Sequence, residues 1–449
     1  MNVNKKYLAH ISVASVCALL FIWVLPNTIA LRHALLGVGF LSGTFLIKEN
    51  WNRFYPFKAP LVPLYSIACL FVWVGIHYYY FSLNPPLELS EIKGLWIRTF
   101  AGFVMAIGFG ISLRHYVHLR TYFYFSIFFV PIINVLAYVF ACYLHGGFIR
   151  PNEFVFFLYA KIETAYFGAL AAAVAVANII YLVTKKSEKK NYLEITLYFF
   201  GLFFVLISAF VSSTKNGIAI AMALCLLLVF IVLMNSLLNS VGQKKLSLVI
   251  ALFVLLLAGG VWQEHQSFAS KGWGTIFEDM KVAIDIDSNT QWQRKEGTVE
   301  APLNALGMPA ALNTYSRFAY AMVGIRLISQ YPLGYGSINQ SFNGLQSIAD
   351  IPHEHQGQVH SGWLDFGLAF GVPGLLLLFS SILGAMYFAI RRFDQLNLVA
   401  LMICATLIPF CLIAEMSYKQ YFESWVFFIS LAATLVAFSS IFPENSKRS

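Results

Sequence analysis

Long apolar runs separated by short polar turns make up most of the chain. They recur near 8–25, 33–47, 59–81, 98–113, 121–143, 164–184, 192–211, 216–238, 246–263, 363–389, 397–414 and 421–441. Most approach the ~20 residues that an α-helix needs to cross a hydrocarbon layer. In lipid every backbone N–H and C=O must be paired internally, and a helix does this within one segment. The pattern therefore predicts an all-α, polytopic helical membrane protein of about twelve transmembrane helices. The runs at 33–47 and 98–113 are short, so tilt or partial re-entry is expected there. Residues 264–361 break the rhythm with one long polar insertion, in which Ser316–Gln330 has the spacing of an amphipathic helix. Long insertions in compact folds are usually functional. The chain thus divides into nine helices over 1–263, a large, partly helical loop over 264–361, and three helices with a polar tail over 362–449.

Charge gives the pattern a direction. Seventeen of the thirty basic residues fall in turns on one side, among them Lys5, Lys6, Lys185, Lys186, Arg391, Arg392, Lys447 and Arg448. The short turns opposite hold seven: Arg32, Lys93, Arg98, Arg150, Lys161, Lys215 and Lys419. The positive-inside bias puts both termini in the cytoplasm and the 264–361 loop on the extracytoplasmic side of the membrane. Lys5 and Lys6 precede the first run as in a signal peptide, but eleven further runs favour an uncleaved anchor. Charged residues are only 11% of the chain against 59% apolar or aromatic ones. A water-soluble protein carries about a quarter charged residues, so that class is excluded. The net charge of +9 follows largely from the sidedness and requires no nucleic-acid partner. All six cysteines lie in apolar runs without a Cys-x-x-Cys pair, and read as small packing residues.

The densest local chemistry sits where the loop becomes the tenth run: Gln358-Val359-His360-Ser361-Gly362-Trp363-Leu364, then Gly371-Val372-Pro373-Gly374. A helix start presents unpaired N–H groups and a positive dipole end. Both disfavour imidazolium, so His360 is expected to be neutral and able to accept a proton. The plain alternative is an interfacial histidine ahead of an ordinary membrane helix. Pro373 is a candidate kink. Two cations complete the set. Lys215 lies in the turn Ser212-Ser213-Thr214-Lys215-Asn216-Gly217, and Arg317 lies within the loop helix. Arg326 follows nine residues later, about 180° around a helix, so the two arginines should not reach one phosphate.

His-Ser, nine residues, then Gly-x-x-Gly resembles the signature of bacterial O-antigen ligases, in a superfamily that includes O-antigen polymerases. Arg317 followed by Tyr331-Pro332-Leu333-Gly334-Tyr335-Gly336 resembles the Arg and Pro-x-Gly-x-Gly stretch of the same family. The resemblance covers roughly 315–380 and implies a GT-C-like membrane glycosyltransferase. Its donor would be O-antigen on undecaprenyl diphosphate, and its acceptor a sugar hydroxyl of lipid A core. The implied roles are base for His360 and diphosphate contacts for Lys215 and Arg317. Arg98, Arg150, Lys161 and Arg326 are further candidate substrate contacts. The chain departs from the pattern twice. Lys215 stands where relatives often have arginine, which loses the bidentate fork. Ala369 stands where many carry a carboxylate, and Asp365 is about 140° from His360 on a helix, too far round to form a dyad.

Metal and cofactor are expected to be absent from the reaction, because cations can neutralise the diphosphate. Two motifs point the other way. Asp285-Ile286-Asp287 resembles a metal-holding carboxylate pair, and His353-Glu354-His355 ahead of His360 has ligand spacing on a strand. The acceptor is open between lipid A core, a growing O-antigen and a protein hydroxyl. The rival from another class is a lipid-linked glycan transporter, whose marks are midplane charges and repeated broken helices. His77 is the main intramembrane ionisable group visible, and no inverted repeat appears. A monomer is expected, since the candidate groups come from one chain.

Overall fold

A computed structural model describes residues 3–55, 57–151, 153–154, 161–185, 192–238, 241–268, 275–294, 298–352, 354, 357–415 and 419–439. Its helices before the long insertion are α1 (Val3–Ile22), α2 (Ile29–Glu49), α3 (Val62–Tyr80), α4 (Pro85–Glu91), α5 (Ile97–His115), α6 (Val117–Ser126), α7 (Phe129–His145), α8 (Lys161–Thr184), α9 (Tyr192–Val211), α10 (Lys215–Leu238) and α11 (Val241–Phe268). The insertion carries α12 (Ile276–Ile284), α13 (Leu312–Gln330) and α14 (Ser341–Ile348). Three long helices follow: α15 (Gly362–Arg391), α16 (Gln395–Ile413) and α17 (Lys419–Ala437). The protein is a polytopic helical membrane protein. Among the described residues, eleven helical segments are long and apolar enough to span, where the sequence suggested twelve. The run at 246–263 falls in α11, whose apolar part among those residues is Ala251–Gly260.

Neither short run becomes re-entrant. The 33–47 run lengthens to the 21 residues of α2, about 32 Å of helix. The 98–113 run extends backwards through a π-helical stretch, Ile92–Trp96, to α4, so Pro85–His115 forms one 31-residue segment. Asn84 starts it by accepting a hydrogen bond from Leu87 N, with Pro85 in the first turn where its missing N–H costs nothing.

α8 and α17 form the centre of the bundle and are apolar and buried almost all round. A helix of that kind belongs inside a bundle. The alanines of α8 (Ala169, Ala171, Ala172, Ala173, Ala175, Ala177) allow close approach by α9, α10 and α16. Leucines and phenylalanines on α2, α10 and α11 face outwards, as lipid contact requires. Exposed Trp51 and Tyr55 beyond α2, and Tyr79 and Tyr80 ending α3, lie at opposite ends of two consecutive helices, as anchors at two interfaces do.

Helix direction follows from pairs across the bundle. α5 and α17 run parallel: Arg98 reaches Glu423 at their starts, and Arg114 reaches the Leu435 carbonyl near their ends. α8 and α10 begin at that first end too, because Tyr421 Oη donates to the Ile162 carbonyl and Asn216 Nδ2 to the Ile413 carbonyl. The start of α15 and the end of α16 meet there, where Ser361 Oγ donates to Leu412 O at 2.8 Å.

Candidate active site

α15 is broken at Gly371, whose φ of 68° and ψ of −170° are open only to glycine without strain. Pro373, the expected kink, lies just beyond the break, in the first turn of the helix that resumes. Its missing N–H is unneeded there. The break frees backbone groups that must find partners. Leu368 O accepts from Tyr335 N and Ala369 O from Gly336 N, both at 2.8 Å. Phe370 O accepts from Trp73 Nε1 at 2.9 Å, and Val372 N donates to Pro332 O at 2.8 Å. The Pro332–Gly336 stretch is thus a brace for the break. Gly334, with φ 96°, lies so close that a Cβ would stand 2.5 Å from the Ala369 oxygen. At position 369 it is the backbone carbonyl, with no carboxylate, that meets the loop.

This brace fixes the short stretch ahead of α15. Asp365, fully buried one turn inside the helix, accepts from Val359 N at 2.8 Å. It holds the backbone before His360. His360 itself adopts φ 61°, the left-handed region. For a residue with a Cβ this conformation costs about 1–2 kcal/mol. Such strain persists only where surrounding contacts enforce it, and it gathers at functional sites.

The turn aims the imidazole at Glu415, just past α16. His360 Nδ1 lies 2.7 Å from Glu415 Oε2. The pair is half-buried on the histidine side and more enclosed on the glutamate side. The Glu415 hydrogen bond raises the His360 pKa from its ordinary value, with burial opposing. The helix start was expected to disfavour imidazolium, and the Glu415 carboxylate instead favours it. The carboxylate outweighs burial, and it comes from a turn 55 residues away in sequence. A carboxylate cannot donate when ionised, so Nδ1 carries the hydrogen and Nε2 is left with its lone pair.

Arg317 lies on α13, exposed, and its charge reaches His360, where it works against Glu415. Lys215 opens α10 beside the Ile413 carbonyl, two residues from Glu415, with its side chain outside the described residues. The turn before it is tight, with Ser213 at φ 50°. Arg326 turns to the other side of α13 and forms a two-pronged pair with Asp287, at 2.8 and 2.7 Å. That pairing engages the second carboxylate of the Asp-x-Asp motif, while Asp285 Oδ1 accepts from Ser288 N in a turn. Arg98 is bound to Glu423, Arg150 faces Glu153 at 4.0 Å in the open, and Lys161 opens α8 at the same end of the bundle as His360. His353 and His355 lie outside the described residues.

The sequence reading missed three carboxylates. Glu415 and Glu423 are lone acids at the edge of apolar runs, a sign that each has a partner. Glu88 is fully buried against His77, with Oε1 2.9 Å from Nδ1. That pair gives the intramembrane histidine a partner within the bundle.

Residues 200–379 match the family model described as O-Antigen ligase. The match contains Lys215, Arg317, Arg326, His360 and the braced break in α15, and leaves Glu415 and Arg98 outside. No curated protein matches the chain.

Proposed function

We propose that this chain, a member of the O-antigen ligase superfamily by its 200–379 segment, joins O-antigen from undecaprenyl diphosphate to a sugar hydroxyl of lipid A core. The observation that carries the reading is the strained His360 held by Glu415 with Nε2 left open. The acceptor hydroxyl gives its proton to Nε2 as its oxygen bonds to the anomeric carbon of the donor sugar. The bond from that carbon to the diphosphate oxygen breaks in line, and the centre inverts. Glu415 keeps the tautomer fixed and stabilises the imidazolium as it forms, which makes the histidine a stronger base. The charge developing on the diphosphate falls to Arg317 and Lys215, and preorganised cations of this kind favour the transition state over the ground state. On this reading the reaction needs no metal, the site faces the periplasm and both termini are cytoplasmic.

Purified protein in EDTA, given lipid-diphosphate-linked O-antigen and rough lipopolysaccharide, tests the reading. The expected result is a ladder of inverted linkage that His360→Ala abolishes. Wild type that ignores the core but lengthens the lipid-linked glycan would make the protein a polymerase, and transfer to protein hydroxyls alone would make it a protein glycosyltransferase. Undiminished transfer by His360→Ala would remove the histidine base from the mechanism altogether.

A further inference from the structure

Away from His360, the starts of α2, α5 and α17 bring together a second set of charges. Arg32 is buried at the first turn of α2, and its Nη1 donates to Trp23 O at 2.9 Å. Its Nε is buried and makes no hydrogen bond among the described residues. Arg98, at the start of α5, gives Nε to Glu423 Oε1 and no other hydrogen bond among those residues. His33, exposed beside Arg32, lies within Coulombic reach of both guanidiniums. Glu423 acts on Arg32 as well as on Arg98. Among the described residues two guanidiniums therefore share one carboxylate, and a positive charge is left over.

A cation without a full counter-charge at the end of a membrane helix needs an anionic or hydrated partner at the interface. A structural ion pair with Glu423 would need Arg98 alone. The excess charge, and the fork of Arg98 Nη groups left by its single contact, suit an anion with several oxygens. The flanks suit an anion carried on acyl chains. Ile29, Leu31, Ile97 and Phe100 are exposed around the cluster on α2 and α5, on the outside of the bundle where acyl chains lie.

We propose that the rim formed by α2, α5 and α17 binds the phosphate headgroup of an anionic membrane lipid through Arg98, Arg32 and His33, with its chains along the apolar flanks. The site lies at the same end of the bundle as His360 and rests on no assumption about the transfer reaction. A lipid held there has its phosphate at the interface level of the candidate active site and orders the starts of three helices around it.

The test is native mass spectrometry of the full-length protein released from micelles containing phosphatidylglycerol or phosphatidylcholine. A saturable phosphatidylglycerol adduct is expected, with little from phosphatidylcholine. His33→Glu changes an exposed side chain and should leave folding intact, yet should weaken the adduct about ten-fold by replacing an attractive contact with a repulsive one. Glu423→Gln removes the carboxylate that Arg98 and Arg32 share among the described residues and should strengthen it. Equal retention of both lipids, or an adduct unchanged in His33→Glu, overturns the proposal. Displacement of phosphatidylglycerol by excess inorganic phosphate would also overturn it, because the site would then bind a free anion.

Discussion

Where α5 and α15 finish, Arg114 is enclosed by partners. Its Nε donates to Leu435 O at 2.8 Å, its Nη1 reaches both oxygens of Asp394 at 3.0 and 2.9 Å, and its Nη2 meets Asn397 Oδ1. Arg120 nearby donates to Leu113 O, and Gln395 to Asn178 Oδ1. At the opposite end His360 uses one nitrogen on Glu415, and its Nε2 makes no hydrogen bond among the described residues. Arg317 stands exposed within reach of its charge. The residue types are similar, but at one end their capacity is used up within the chain, and at the other it is kept for something else. A fully satisfied buried network fixes structure. A strained histidine with an open lone pair within reach of an exposed arginine has the form of a site waiting for substrate.

The largest effect should come from breaking the closed end. Arg114→Leu leaves Asp394, which is only partly buried, without its main partner. Removing one member of a buried pair costs about 3–5 kcal/mol, and the exposure of Asp394 puts this one at or below the lower end. The unfolding midpoint in detergent should fall sharply, while the molecules that remain folded keep their transfer rate. A large loss of rate without loss of stability would mean that the two ends are coupled and the contrast is misplaced.

At the open end the signs reverse. His360→Gly removes the proposed base and should lower the transfer rate by about 10²–10⁴-fold. It also removes a side chain from a left-handed position, where glycine is at ease. The melting temperature should stay level or rise, a trade between stability and activity that is common at strained sites. A variant that is both inactive and strongly destabilised would identify His360 as a structural residue.

Glu415→Gln should cost less rate, about ten-fold, and shift its pH dependence. Glu415 raises the His360 pKa, so the imidazolium persists to higher pH and the base becomes available only above that raised value. Replacing the carboxylate by an amide removes the cause, so the ascending limb of the rate profile should move to lower pH. Linkage gives the matching sign for stability. The contribution of the pair is fully present below the unfolded pKa of histidine and is lost as pH rises through the raised native value. The variant should lose that slope. An unmoved limb would show that another group controls the profile.

Much of this end was legible in the chain, and the parts that were not have a physical reason. His360, Arg317 and the turn at Lys215 lie at boundaries between apolar and polar residues, which a linear pattern records. So does α13, predicted from Ser316 and observed from Leu312 to Gln330. Glu415 was invisible because its meaning depends on α16 returning antiparallel to α15, a packing fact that no local pattern holds. The Pro332–Gly336 stretch was seen as a motif, but its task of pairing the carbonyls freed at Gly371 is a matter of three-dimensional hydrogen-bond accounting. The helix-start argument for His360 counted unpaired N–H groups and the dipole, and the carboxylate that raises its pKa was not in view.

The smallest effect should separate two arginines on one helix. Arg326 and Arg317 are nine residues apart on α13, so they point to opposite sides. Arg326 holds Asp287 in an exposed two-pronged pair, and its guanidinium keeps that carboxyl below the usual carboxylate range. Solvent and salt screen such a pair, so its geometry adds little to stability. Arg326→Ala should leave melting temperature and transfer rate within error, while Arg317→Ala lowers the rate about 10²-fold by removing a contact to the leaving diphosphate. Adding salt should not change the ranking, because the Arg317 contact forms in a site closed by bound substrate and the Arg326 pair remains in water. If Arg326→Ala proves the more damaging, then the far side of α13 faces the substrate, and the diphosphate must be sought there instead of beside His360.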